Sequence, residues 1–328
     1  MNTNTIEMPF RKAGKSGILL PAISLGLWHN FGSVDNQEEA EKMIVHAFDA
    51  GICHFDLANN YGPVPGSAEE NFGRIIREKL AGHRDEMFIS SKAGHDMWPG
   101  VYGDGSSRKN LMASIDQSLK RTGLDYFDIF YSHRYDEFTP VEETMQALID
   151  IVRQGKALYV GISKYPADKQ LEAYRILREA HVPCLLSQYK YNMQVREVED
   201  NILDNAAKEG SGFVAFSPLN QGLLTDKYLH GIPEGSRAAR PDGFLNTSDV
   251  TPEVVAMSAK LNEIAQRRGQ TLSQMALSWL LNDERMTSVI IGARTVKQMD
   301  SSLEALRNLE FTADELKEID TITKVLEK

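Results

Sequence analysis

The chain has 328 residues, with 36 Lys and Arg against 46 Asp and Glu, giving a formal net charge of −10 at pH 7. That acidity excludes broad electrostatic adhesion to nucleic acid or to an anionic membrane, so any anionic ligand needs a local cluster of cations. The two cysteines, Cys53 and Cys184, lie in apolar runs without the spacing of a zinc site or a disulfide scaffold, which argues for a reducing compartment and for no metal.

MNTNTIEMPFRKAG, residues 1–14, has no apolar signal segment, and no stretch nears the roughly 18 apolar residues of a membrane span. The expectation is a cytoplasmic protein. PFRKAGKSGILL (9–20) reads as a short hairpin, and AISLGLW (22–28) as a strand. Asp35 and Glu38 form a D-x-x-E capping box before Ala40, Met43, Ile44, Ala47 and Phe48, which share one helical face, and Gly51 stands at the C-terminal stop. HFDLA (54–58) is a second strand. Ser67 and Glu70 repeat the box ahead of Phe72, Ile75, Ile76 and Leu80.

Further strands follow at MFISSKA (87–93), YFDIFYSH (126–133), ALYVGIS (157–163), CLLSQYKYN (184–192), GFVAFSPL (212–219) and SVIIGA (288–293). Between the fourth and fifth, Thr139-Pro140-Val141-Glu142 gives another capping box, with Pro at the first helical position and Met145, Leu148, Ile149 and Val152 behind it. The interval 220–287 exceeds one crossover and predicts an extra loop, around Leu223 to Val250, together with helices.

Eight strands alternating with helices imply a parallel sheet, open or closed. An open dinucleotide-binding sheet usually carries G-x-G-x-x-G after its first strand, and the chain has no such sequence. The pattern therefore predicts an α/β fold, a (β/α)8 TIM barrel over residues 1–328, with an N-terminal β-hairpin plugging its bottom and extra C-terminal loops and helices.

In such a barrel the reactive groups come from the C-terminal ends of strands and the loops after them. CHFDLANNYGPVPGSAEE (53–70) places Asp56 near the end of the second strand and Tyr61 in the following loop. Lys92 ends the third strand and His133 the fourth. Singly, an Asp–Lys pair is a structural salt bridge as often as not, and a strand-end His is more often a hydrogen-bonded structural residue. Four titratable side chains at matching ends of three successive strands point to a site.

These residues, in the contexts FDLANNYG, SSKAG and DIFYSHR, resemble the catalytic tetrad of the aldo-keto reductase superfamily. The resemblance runs from LGLW (25–28) to NLEFTADELKEID (308–320). It is nearest to the branch of the bacterial L-glyceraldehyde 3-phosphate reductases and the potassium-channel β subunits. GSAEENFGR, HDMWPGVYG, SRKNLMASIDQSLKR and QGLLTDKYLHGIPEGSR look like its reductase side.

The resemblance implies NADPH-dependent reduction of an aldehyde or ketone, with Tyr61 as general acid. Lys92, kept charged by Asp56, is expected to lower the Tyr61 pKa, and His133 to hold the carbonyl oxygen. Ser163 and Gln188 are implied at the nicotinamide carboxamide, with Phe216 against its ring and Trp28 and Asp56 beside it. Ser217, Leu219, Gly222, Leu223 and Lys227 line the pyrophosphate, and Gly292, Arg294, Gln298 and Ser302 the adenosine end, with Arg237 closing over it. Trp28, His29, Trp98, Tyr102 and Arg134, with Tyr61 and His133, are expected to frame the substrate.

The chain departs from the family at Lys164, where many members have Asn, at Ser301-Ser302, where Glu-Asn is frequent, and at Tyr135, where Pro is common. Relatives form tetramers or larger rings, so a homo-oligomer is admitted. Two other readings stay open: a cofactor-bound regulatory subunit like the channel β subunits, and a phosphate-handling isomerase using Asp56 or His133 as base.

Overall fold

The computed structural model describes residues 6–239 and 245–323. β1 (Phe10–Lys12) and β2 (Leu19–Pro21) pair antiparallel as the expected hairpin. Eight parallel strands then close a barrel: β3 (Ile23–Gly26), β4 (His54–Asp56), β5 (Phe88–Ala93), β6 (Phe127–Ser132), β7 (Ala157–Ser163), β8 (Cys184–Lys190), β9 (Gly212–Phe216) and β10 (Met286–Ile291). β10 pairs with both β9 and β3, which removes every free edge from the main sheet.

Helices occupy the outer layer, among them α1 (Gln37–Asp49), α2 (Ser67–Lys79), α3 (Arg108–Thr122), α4 (Val141–Arg153) and α5 (Ala167–Glu179). Their apolar faces and the outward-facing strand residues form one continuous core that includes Phe55, Phe72, Ile75, Leu111, Ile115, Met145 and Leu148. Inside the barrel a second cluster joins Phe88, Ile129, Tyr131, Leu186, Val214 and Ile290 to Ala13 and Leu20 of the hairpin. The hairpin thus fills the bottom of the barrel, and Arg11 fastens it through the carbonyls of Leu281 and Asp283, at 2.8 and 3.1 Å.

Three helix starts differ from the capping boxes read in the sequence. Asn36, not Asp35, caps α1, accepting from the Glu39 N–H at 3.1 Å, because the Asp35 carboxylate already accepts from the Gly32 N–H at 2.8 Å. Ser67 is the first helical residue of α2; its hydroxyl donates to the Val64 carbonyl, and left-handed Gly66 (φ 92°) precedes it. Pro140 is itself the residue before α4, and the Thr139 hydroxyl donates to Asp136 instead. The Gly51 stop holds, at φ 84°.

After β9 the chain makes short 3₁₀ turns at Asn220–Gly222, Asp226–Tyr228, Arg237–Ala239 and Thr247–Asp249 before two further helices of the outer layer, Pro252–Arg267 and Leu272–Asn282. Leu223, Tyr228, Ala238 and Leu245 give this excursion a small core of its own. It is the expected extra loop, of which residues 240–244 lie outside the described residues, as do residues 1–5 of the N-terminal segment and residues 324–328. Among the described residues no helix is long and apolar enough to cross a membrane.

Candidate active site

The parallel register sets the ends of β4, β5 and β6 side by side, pairing Asp56 with Ser90 and Lys92 with Tyr131. Asp56 is thereby enclosed by donors. Its Oδ2 accepts from Lys92 Nζ at 2.7 Å, and its Oδ1 accepts from Ser90 Oγ at 2.8 Å and Gln188 Nε2 at 2.9 Å. Lys92 Nζ also donates to the Leu57 carbonyl at 2.6 Å and lies 3.4 Å from the Tyr61 hydroxyl.

The loop after β4 holds Tyr61 in place through its backbone. Its N–H donates to Ala58 O at 3.0 Å, and its carbonyl accepts from the Gly66 and Ala68 N–H groups. Gly62 makes the turn possible: its φ is 85°, and a Cβ there would lie 2.6 Å from Ser67 Oγ and 2.8 Å from Ala68 N. The His133 ring stands 5.8 Å from the Tyr61 ring, edge to face, while the His133 N–H continues the ladder to Ala93 O at 2.8 Å.

These surroundings fix the protonation states. Burial, reinforced by the negative charge of Asp56, pushes the Tyr61 phenol well above its ordinary pKa, even though part of the ring faces the cavity. This reverses the expected depression by Lys92: the Asp56 carboxylate neutralises the ammonium, and burial holds Lys92 itself below its ordinary value. Tyr61 is therefore a protonated donor. Burial, with the charges of Lys92 and Lys164, drives His133 well below 6.5, so its imidazole is neutral.

A cavity of about 370 Å³ opens from Asp56, Tyr61 and Trp28 along the ends of β9 and β10. Of the residues expected at a dinucleotide, Phe216, Ser217, Leu219, Gly222, Lys227, Arg237, Gly292, Arg294, Gln298 and Ser302 all line it. Gln188 is bound to Asp56, and the Ser163 hydroxyl, at the end of β7, is buried without a hydrogen-bond partner. Leu223 does not line the cavity; it packs into the small core of the excursion. Asn30, Gln221, Thr225 and Ser273 line the cavity without having been foreseen. Asn30 (φ 74°) and Gln221 (φ 58°) have left-handed backbones, which their sequence contexts did not signal.

The cavity fits a nicotinamide dinucleotide on two observations. Arg294 and Arg237 both act, after burial, to lower the Lys227 pKa, so three cations converge at one end, as a phosphate requires. The orphaned Ser163 hydroxyl, at the end of β7, is not part of the cavity lining but is a buried polar group of the kind a carboxamide would satisfy.

The substrate side agrees less closely with expectation. Trp28 and His29 line the cavity, with the Trp28 ring 6.4 Å from Tyr61. Trp98 and Tyr102 do not line it: the β5–α3 loop folds back through the Met97 N–H to Gly103 O, and Tyr102 is 55% exposed beneath the Lys109 ammonium. Arg134 is engaged by both Asp104 oxygens at 2.7 Å and by Gly94 O at 2.8 Å. Tyr135 packs edge to face on Tyr165 at 5.6 Å. His95 was not foreseen, yet its ring meets His133 at 4.5 Å and its Nε2 lies 2.9 Å from Lys164 Nζ.

The Aldo/keto reductase family profile matches residues 22–324, which span the whole barrel. The chain belongs to this family. Two relatives named L-glyceraldehyde 3-phosphate reductase, from Escherichia coli O157:H7 and Escherichia coli strain K12, are each 54% identical to it over 320 residues. The match covers 96% of this chain and 92% of each relative. This aldo/keto reductase is thus an oxidoreductase acting on aldehydes, in a family that uses NAD(P)H.

Proposed function

We propose that this reductase uses NADPH to reduce short polar aldehydes, including glyceraldehyde 3-phosphate and methylglyoxal, with Tyr61 as proton donor. The observation that carries the reading is the contact of the Tyr61 hydroxyl with Lys92, itself bound to Asp56, beside the large cavity. The name shared by the two relatives supports the phosphorylated substrate. The convergence of Lys227, Arg237 and Arg294 supports NADPH, whose 2′-phosphate NADH lacks.

When bound, the nicotinamide supplies the hydride that reduces the carbonyl carbon. Tyr61, protonated at neutral pH, gives its proton to the carbonyl oxygen as negative charge develops there. Lys92 stabilises the phenolate left behind, and Asp56 keeps that ammonium charged and oriented. His133, neutral and rigidly backed by the strand ladder, offers a ring N–H that fixes the oxygen without competing as an acid. Phe216 gives the nicotinamide an aromatic wall, while Ser163 and Gln188 meet its carboxamide.

The test is a panel of aldehydes assayed with purified protein and NADPH, following loss of the reduced nicotinamide by absorbance. Consumption of methylglyoxal and glyceraldehyde 3-phosphate is expected, with NADH a poorer donor. Cofactor binding with no turnover of any aldehyde would instead favour a regulatory subunit.

A further inference from the structure

Three cations, Lys92, Lys164 and Arg134, lie close enough to His133 to act on its imidazole, and they are not equivalent. Lys92 is bound to Asp56, and Arg134 to Asp104 and Gly94 O. Lys164 is different. It makes no ion pair among the described residues, and its ammonium bonds the imidazole of His95 at 2.9 Å. His95 is neutral at physiological pH, its pKa held at about 4 by burial and then by Lys164 and Arg134, so it leaves the lysine charge uncompensated. The Lys164 backbone is left-handed, φ 57°, a conformation that non-glycine residues adopt rarely and that recurs at functional sites.

The placement of this pair follows a line of rings. From Tyr61 the next ring is His133, at 5.8 Å; from His133 the next is His95, at 4.5 Å; Lys164 Nζ lies beyond it. An aldehyde whose oxygen is held between Tyr61 and His133 has His95 and Lys164 within the reach of a three-carbon chain, roughly 5 Å. An anion there would meet an ammonium with two remaining donor hydrogens and an imidazole able to turn an N–H toward it.

We propose that Lys164 and His95 form the subsite for an anionic substituent of the aldehyde, such as a phosphate, and set the preference for charged over neutral substrates. The proposal rests on the reading of Tyr61 and His133 as the groups that hold the carbonyl. It gives the departure at Lys164, whose Nζ lies 5.8 Å from the ring of the cavity residue Phe216, a role distinct from the cofactor's phosphate contacts at Lys227 and Arg294.

The experiment compares KM for glyceraldehyde 3-phosphate and for glyceraldehyde, which differ only in the phosphate, in wild type, Lys164→Met and Lys164→Arg, with the Kd of NADPH measured alongside. Lys164→Met is expected to raise the ratio of the phosphorylated to the neutral KM about tenfold or more, the effect of one charge-assisted contact. Lys164→Arg should restore most of the preference. Equal changes in both KM values, or a rise in NADPH Kd as large as that in KM, overturns the subsite. So does a wild type with equal KM for the two aldehydes, a result that leaves the Tyr61 assignment intact. A wild type that reduces neither aldehyde overturns that assignment and the subsite with it.

Discussion

Lys92 Nζ lies 2.7 Å from Asp56 Oδ2, with the lysine side chain 0% and the aspartate 3% exposed. Neither charge has water to fall back on, so each depends on the other to replace its lost solvation. Removing one partner strands the other, at a cost of about 3–5 kcal/mol, whereas replacing both removes the desolvation problem as well. Lys92→Met and Asp56→Asn should each lower the stability measured by chemical denaturation by that order. The double variant should lose less than the sum of the two. Additive losses would mean that the pair is not coupled.

Tyr61→Phe removes a hydroxyl and little volume. Aldehyde reduction should fall at least about a hundredfold, the scale of a lost general acid, while NADPH still binds. Stopped-flow rates with saturating cofactor, together with a binding titration, check both halves of this statement. Near-normal turnover would remove Tyr61 from the proposed chemistry.

His54 and His133 carry an acid sensitivity. Burial holds the folded pKa of His54 at about 4 and that of His133 well below 6.5. Below pH 6.5 the unfolded chain takes up protons at these residues that the folded chain refuses. Stability is therefore lost as pH falls from about 6.5 toward 4, at up to roughly 3 kcal/mol per pH unit for the two together. Denaturation midpoints collected across that range should show the slope, and His54→Gln should reduce it by the share of one buried histidine, up to roughly 1.4 kcal/mol per pH unit. A slope unchanged in the variant would assign the sensitivity to other groups.

Arg294 is expected to read the cofactor's 2′-phosphate. It lines the cavity just before the helix Val296–Leu303, and its own N–H is bound by the Gln298 side chain at 2.9 Å, which fixes the backbone from which the guanidinium reaches. Arg294→Ala should raise the Kd of NADPH by roughly ten- to a hundredfold and barely move that of NADH. Isothermal titration of both nucleotides decides it; equal losses would show that Arg294 contacts a group common to the two.

Alternation of β-branched runs with one-sided apolar segments carried the barrel, because a strand buried on both faces leaves a continuous apolar run and a helix a stripe. Asp56, Lys92 and His133 were legible for a related reason: polar residues ending such runs point at the barrel mouth. Cap positions were not. Asp35 and Thr139 have the right chemistry for capping, but nearby partners, the Gly32 N–H and Asp136, compete for their side chains, and that competition is settled only by the fold of the preceding loop. Trp98, Tyr102 and Leu223 do not line the cavity, because loop backbones decide where such side chains point. His95 follows Gly94 in a polar stretch with no periodicity, so nothing in its sequence context distinguished it from a solvated surface residue.

The seam between β3 and β10 sets a schedule for synthesis. Ser24 and Ser288 share a 2.6 Å hydrogen bond across 264 residues of chain, and Arg11 waits for carbonyls at Leu281 and Asp283. At ordinary translation rates that interval lasts on the order of ten to fifty seconds. Throughout it β3 is an unpaired edge, and the hairpin has no finished cylinder to enter. A chain that stops short of Met286 lacks the strand that pairs with both β3 and β9, and keeps an open sheet with two unpaired margins.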